Sequence, residues 1–147
     1  MAATETGQRT FDLSLVTPEG TVFDGEAQML VVPGAAGEIG VLARHAPLVA
    51  MLKAGEIRVK AGNEWQSFAA GPGFFKVQRD RAIVLVDDAV KAEDIDIEAA
   101  RREVEEAREL LERAEAGEEG IDRWLAEERV RHAQNKIDVA GGREASP

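Results

Sequence analysis

Along residues 1–90 the hydrophobic positions recur every second residue or in short runs; along 91–147 they recur every third or fourth. Phe11, Leu13 and Leu15 alternate with Asp12 and Ser14, the period of a half-buried strand. Thr17-Pro18-Glu19-Gly20 reads as a turn, with proline fixing φ and glycine accepting a positive φ. Met29 to Val32 is an apolar run closed by Pro33-Gly34, and Leu48 to Leu52 another, ended by Lys53-Ala54-Gly55. Ile57 and Val59 alternate with Glu56, Arg58 and Lys60 before Gly62-Asn63, a hairpin turn signal. Trp65 and Phe68, then Phe74 to Val77, then Ile83 to Val86 supply further strand-like pieces. Pieces of this length, spaced about 8–12 residues apart, predict an antiparallel β-sandwich over 1–90.

The second segment changes period. Ile97, Val104 and Leu111 stand seven apart, as do Ala100, Ala107 and Ala114, which is a heptad seam with alanine at every d position. Gly117-Glu118-Glu119-Gly120 breaks the pattern, and Ala126, Val130, Ala133, Ile137 and Ala140 resume it. This predicts helices over about 95–116 and 121–140. They form an antiparallel hairpin, stopped at Gly141-Gly142 and followed by a frayed tail. Glu98 with Arg102 and Glu109 with Arg113 are spaced as i,i+4 pairs on the wet faces. The fold class is therefore α+β in two domains. A seam made of alanine buries little area, so the hairpin is expected to be a movable element.

Charge sharpens the boundary. The formal net charge is −10. Residues 1–90 carry 11 acids and 8 bases, and residues 91–147 carry 17 acids and 10 bases. An acidic chain of this kind is a poor match to nucleic acid or an anionic membrane. The N-terminus shows neither signal-peptide nor transit-peptide character, and no apolar run approaches the roughly 20 residues of a membrane span. The expectation is a cytoplasmic protein touching membranes only through partners, and the lack of a transit peptide favours a bacterium.

Enzymatic chemistry finds little support. Cysteine is absent, so no thiolate can serve as nucleophile or metal ligand. None of Ser14, Ser67 or Ser146 sits in a Gly-x-Ser-x-Gly elbow. His45 and His132 lie in different domains without ligand-like neighbours, so no metal site is expected. Asp87-Asp88 could form part of a carboxylate-dependent hydrolase, but reads better as a solvated strand end. Gly34-Ala35-Ala36-Gly37-Glu38-Ile39-Gly40 lacks the G-x-G-x-x-G spacing and leads into a strand, so it reads as a tight inter-strand connection, not a phosphate cradle.

That same loop carries a resemblance. Val31-Val32-Pro33-Gly34, Gly37-Glu38-Ile39-Gly40-Val41-Leu42, His45-Ala46-Pro47-Leu48 and Gly55-Glu56-Ile57-Arg58-Val59 follow in order. Together they resemble the signature of the epsilon-subunit family of F-type ATP synthases. Phe11 to Gly20 and Phe23-Asp24-Gly25 are similar to that family's opening strands, and Ala43 departs from its usual proline. The resemblance covers about residues 10–140. It implies a non-catalytic rotor subunit of the central stalk, passing rotation of the c-ring to the gamma subunit during ATP synthesis, with the proton as coupling ion. It also implies that Glu38 lies at the c-ring end of the sandwich and His45 near the subunit interface, with Val41 and Leu42 as apolar contacts beside them.

In this family the hairpin regulates: it folds back on the sandwich or extends toward the beta subunits and blocks hydrolysis. Arg123, Arg129, Arg131 and Lys136 make the second helix much less acidic than the first. They are available either to an acidic beta-subunit loop or to the acidic first helix across the hairpin. Some members bind ATP through an I/L-D-x-x-R-A motif. Ile97, Glu98 and Arg101 match it only in part, with Arg108 further along, Arg102 in place of the small residue, and His132 and Lys136 where arginines stand in ATP-binding members. That weighs against tight ATP binding, and no cofactor is expected. Two other classes are consistent with the residues alone: a free-standing β-sandwich adaptor with a coiled-coil docking hairpin, and the carboxylate hydrolase.

Overall fold

The structure is a computed structural model and describes residues 9–145, with side chains to residue 141. Ten strands come first: β1 Phe11–Thr17, β2 Gly20–Ala27, β3 Met29–Gly34, β4 Gly37–Leu42, β5 Leu48–Leu52, β6 Gly55–Ala61, β7 Glu64–Ala70, β8 Gly73–Gln78, β9 Arg81–Val86 and β10 Ala89–Lys91. A 3-10 turn over Ala92–Asp94 leads to helices α1 Ile97–Glu115 and α2 Arg123–Ala145. The ladder runs β10-β7-β6-β3-β5-β8-β9-β1-β2, with β4 on β3, and curls so that its inner faces close on one core.

Alternation explains that core. Phe11, Leu13 and Leu15 on β1, Phe75 and Val77 on β8, and Ala82, Val84 and Val86 on β9 all point inward. Phe68, Ile57, Leu30 and Val32 close it from β7, β6 and β3. The expected sandwich is present, with one correction to a purely antiparallel sheet: β1 pairs with β9 in parallel, Leu13 opposite Ala82 and Leu15 opposite Val84. Alternation along each strand specifies which face is buried and leaves the direction of a partner strand open.

Turn chemistry follows the sequence closely. Gly62 and Asn63 both take positive φ, 59° and 67°, between paired Ala61 and Glu64. This is the two-residue hairpin form that needs left-handed conformers at both positions. Ala35-Ala36 join β3 to β4 with Gly34 opposite Gly37, the tight inter-strand connection expected.

The helices begin on aspartates. Asp96 Oδ1 accepts from the Ala99 N–H at 3.1 Å, and Asp122 Oδ1 from the Leu125 N–H at 3.1 Å. At the end of α1, Gly117 (φ 87°) donates to Ala114 O and Glu118 to Arg113 O, a Schellman closure. Helix α2 does not stop at Gly141-Gly142 but continues to Ala145. Glycine in a helix costs only about 1 kcal/mol, which neighbouring residues can offset, and no proline intervenes before Pro147. Ser146 and Pro147, the end of the expected tail, lie outside the described residues. The expected seam is the buried one: Ala100, Val104 and Ala107 on α1 face Ala126, Ala133 and Ala140 on α2. The i,i+4 ion pairs are replaced, since Arg101 reaches Glu98 at 3.3 Å and Arg113 turns past the helix end to Glu118 at 2.6 Å.

Candidate docking surfaces

The hairpin lies on the outer face of the β6–β7 side of the sandwich. There Val139 of α2 packs with Ala69, Ala92 and Ile95. Among the described residues none covers the outer face of the β5-β8-β9-β1 side, and it is apolar. Met51, Phe74, Leu85 and Val16 are successive register partners across those four strands, all on outward positions. Met51 is 68% exposed and Phe74 40%, with Val49 beside them at 66%. A contiguous apolar stripe on an otherwise charged protein marks an interaction site. Lys76 and Ile83 follow Val49 in the next row, and Arg81 lies at its polar margin.

Sequence reasoning missed this stripe. Its residues sit on four separate strands, and each strand shows only one or two outward apolar side chains. The signal available was that Val49, Met51, Phe74 and Leu85 occupy positions where strict alternation calls for polar residues.

The residues singled out from sequence are dispersed along β4. Glu38 stands at its start, 65% exposed, with Oε1 3.5 Å from the Arg58 guanidinium, which also lies 6.0 Å from the Trp65 ring centre. The recess beside Glu38, lined by Gly34 to Ile39 with Ala50 and Met51, joins this turn to the end of the apolar stripe. Leu42 ends β4, about 13 Å away at a strand rise of roughly 3.3 Å per residue, and His45 follows in the turn beyond it. Leu42 is 58% exposed. His45 Nδ1–H is placed to donate to Ala46 O at 2.6 Å, and its N–H donates to Leu42 O. Arg44 N–H, in a left-handed residue (φ 67°), reaches Asp80 Oδ1 at 2.5 Å and fixes this loop to the β8–β9 turn. Val41 is a correction. It is wholly buried in the core, because it is the inward partner of Leu30 on β3, and it cannot touch another subunit.

On the hairpin, three of the four bases are engaged. Arg123 lies 3.6 Å from Glu115 of α1, Arg131 pairs with Glu128, and Lys136 lies 3.2 Å from Glu103 of α1 and 3.7 Å from Asp88 of the sandwich. Arg129 has no ion pair among the described residues. In this folded form the bases therefore chiefly neutralise acids within the chain. His132 Nε2–H donates to Asp88 Oδ2 at 2.7 Å, joining α2 to the β9–β10 turn. That hydrogen bond holds the Asp88 carboxyl below its ordinary range, while burial pushes Asp87 above it.

The partial ATP motif is not assembled into a site. A groove of about 300 Å³ opens between the helices, lined by Glu103, Glu106, Leu110, Arg129, His132 and Lys136 among others. Ile97, Glu98 and Arg101 are not among its walls. Glu98 and Arg101 pair with each other, and Arg108 reaches Gln134 at 3.5 Å.

Residues 10–92 match the family model described as ATP synthase, Delta/Epsilon chain, beta-sandwich domain. The chain belongs to the ATP synthase delta/epsilon family. The ATP synthase epsilon chain of Halalkalibacterium halodurans is 40% identical over 90% of this chain and 98% of the relative. The sodium-ion-specific epsilon chain of Propionigenium modestum is 34% identical over 89% and 93%. A chain of the Euglena gracilis mitochondrial ATP synthase superposes with a TM-score of 0.71 at 23% identity, covering 86% of this chain and 78% of its own, which shows the shared fold. Membership in this family makes the chain a non-catalytic subunit of a rotary ATP synthase. Among the described residues no helix is long and apolar enough to cross a membrane.

Proposed function

We propose that the sandwich is the coupling element, seated on the gamma subunit through the Met51–Phe74–Leu85–Val16 stripe and on the c-ring through the β3–β4 turn that carries Glu38. The carrying observation is the position of the stripe. It is uncovered among the described residues, apolar and on the face opposite the hairpin, so a rigid partner can dock there while the hairpin stays on or leaves. Glu38 supports the second contact: it is held out at the turn by Arg58 and borders the stripe through the Met51 recess.

The hairpin is the regulatory part in this reading. Its contact with the sandwich is small: one apolar cluster, the His132–Asp88 bond and the Lys136–Asp88 ion pair. Glu128 Oε1, His132 Nδ1 and Asn135 Nδ2 are buried on α2 without a hydrogen-bond partner among the described residues, which lowers the worth of the docked state. Released, it would extend along gamma toward the beta subunits, where Arg123, Arg129, Arg131 and Lys136 exchange their internal partners for acidic ones. The subunit works at the cytoplasmic side of the bacterial membrane, peripherally, in a complex coupled to protons.

A reconstituted synthase carrying a chain truncated after Ile95, which keeps β10 and the 3-10 turn, is expected to retain ion-coupled ATP synthesis. Loss of coupling would overturn this division of labour.

A further inference from the structure

Regulation by a movable hairpin needs something that sets when it moves. The docked hairpin meets the sandwich through a polar junction built from all three elements. Asp88 comes from the β9–β10 turn, Glu103 from α1, and His132 and Lys136 from successive turns of α2. His132 and Asp88 are 44 residues apart and partly buried, with Nε2 and Oδ2 at 2.7 Å. The Lys136 ammonium bridges Asp88 and Glu103 at 3.7 and 3.2 Å and is only 15% exposed. Among the described residues the apolar packing of α2 on the sandwich is Val139 against Ala69, Ala92 and Ile95, which is insensitive to pH.

We infer that the His132–Asp88 contact is a pH-operated latch, holding the hairpin on the sandwich while His132 is protonated and releasing it when the imidazole becomes neutral. The proposal rests on the reading of the hairpin as a movable regulatory element. Imidazole is the one side chain whose ordinary titration falls between about pH 5 and 8. When charged, it gives Asp88 a charge-assisted hydrogen bond, roughly twice as strong as a neutral one. Asp87 and Asp88 face it from the sandwich, Glu103 and Glu106 from α1, and Glu128 stands one turn back on α2. Lys136 and Arg129 oppose them on the same helix, but Lys136 is already held between two carboxylates. The lowered titration of Asp88, owed first to the His132 hydrogen bond, is the other side of this coupling. Nδ1 carries a proton only in the cation, where it is a buried donor without a partner among the described residues, a cost set against the charge-assisted bond to Asp88.

The sign follows. Above the ordinary carboxylate range Asp88 is charged and can accept. While the imidazole is also charged, the latch is at full strength. As pH rises and the imidazole loses its proton, the contact falls to a neutral donor on a carboxylate. The ratio of released to docked hairpin then rises about fivefold to tenfold, the equivalent of roughly 1–1.4 kcal/mol.

The chain has no cysteine, so a dye pair can be placed by Glu64→Cys on β7 and Glu105→Cys on α1, both exposed. Energy transfer in the isolated full-length chain, followed from pH 5.5 to 8.5, is expected to fall in a single transition as pH rises. His132→Gln is expected to give a flat, partly released profile across the same window. His132→Lys, which keeps its charge, is expected to stay docked at pH 8.5. A transition unchanged by His132→Gln, or a wild-type profile that is flat, overturns the latch. Neither outcome touches the coupling role of the sandwich, which is tested on the assembled synthase.

Discussion

Met51 and Phe74 face each other across the β5–β8 ladder with both side chains directed to solvent. A non-polar pair in that position contributes little to a core it does not touch. Phe75, one residue on, is the buried partner of Ala50 and Val84. Adjacent phenylalanines thus serve opposite purposes on one strand, one for folding and one for docking, and substitutions at the two should separate stability from assembly.

Phe75→Ala should lower stability by about 3–5 kcal/mol, the range for an aromatic truncated in a sealed core. Phe74→Ala should change it by less than about 1 kcal/mol, as befits an exposed residue. Chemical denaturation of the two variants side by side checks the pair. Equal losses would mean that the two faces of β8 are not as described.

Gly73 begins β8 where the backbone of β9 passes close by. A Cβ there would lie 1.9 Å from Leu85 O and 2.7 Å from Val86 Cα. Backbone atoms cannot swing aside as a side-chain end can, so Gly73→Ala should cost about 1–3 kcal/mol or prevent pairing of β8 with β9. Thermal unfolding would reveal it. Gly62 sits in open space, with only its positive φ at stake, and Gly62→Ala should be the milder change.

Asp88 and Asp87 should show opposite pH signatures. The folded state depresses Asp88, chiefly through the His132 hydrogen bond. Its contribution is therefore present above the unfolded carboxylate value and lost as pH falls through the lower folded one. Asp87 is raised by burial, so its charged form is penalised at neutral pH and the penalty disappears on acidification. Asp88→Asn should destabilise hairpin docking at pH 6 and matter less as acidification protonates the depressed carboxyl. Asp87→Asn should be neutral or stabilising at pH 7. Amide exchange protection of α2 reads the first effect, and urea midpoints read the second.

The alanine seam allows close helix approach. Ala133 is buried between the helices, and Ala133→Leu should force them apart, costing about 1–3 kcal/mol of hairpin stability with the sandwich unaffected. Helical content lost in a first thermal transition, ahead of the sheet, would be the observation to make.

Period alone was enough to separate sheet from hairpin. Phe11, Leu13 and Leu15 state their face in their spacing, and Ala100, Val104 and Ala107 state theirs. Gly62-Asn63 and the Gly34–Gly37 connection were legible because each turn requires a particular residue. Three features were not. The parallel pairing of β1 with β9 depends on which strands meet, and no local pattern encodes that. Val41 lies beside Leu42 in a loop-like stretch, and only the register with Leu30 shows that it points inward. The docking stripe and the His132–Asp88 junction join residues from distant segments, each unremarkable in its own neighbourhood. The family signature located Glu38 and His45 in sequence, yet β4 lies between them and holds them apart.

Association with the gamma subunit is the most direct test of the coupling account. The wild-type chain, titrated into purified gamma and followed calorimetrically, should bind with 1:1 stoichiometry at sub-micromolar affinity. The Met51→Glu/Phe74→Glu variant, with its fold verified by circular dichroism, should bind at least tenfold more weakly, about 1.4 kcal/mol or more. Equal binding by the two chains, or no binding by either at micromolar concentration, would contradict it.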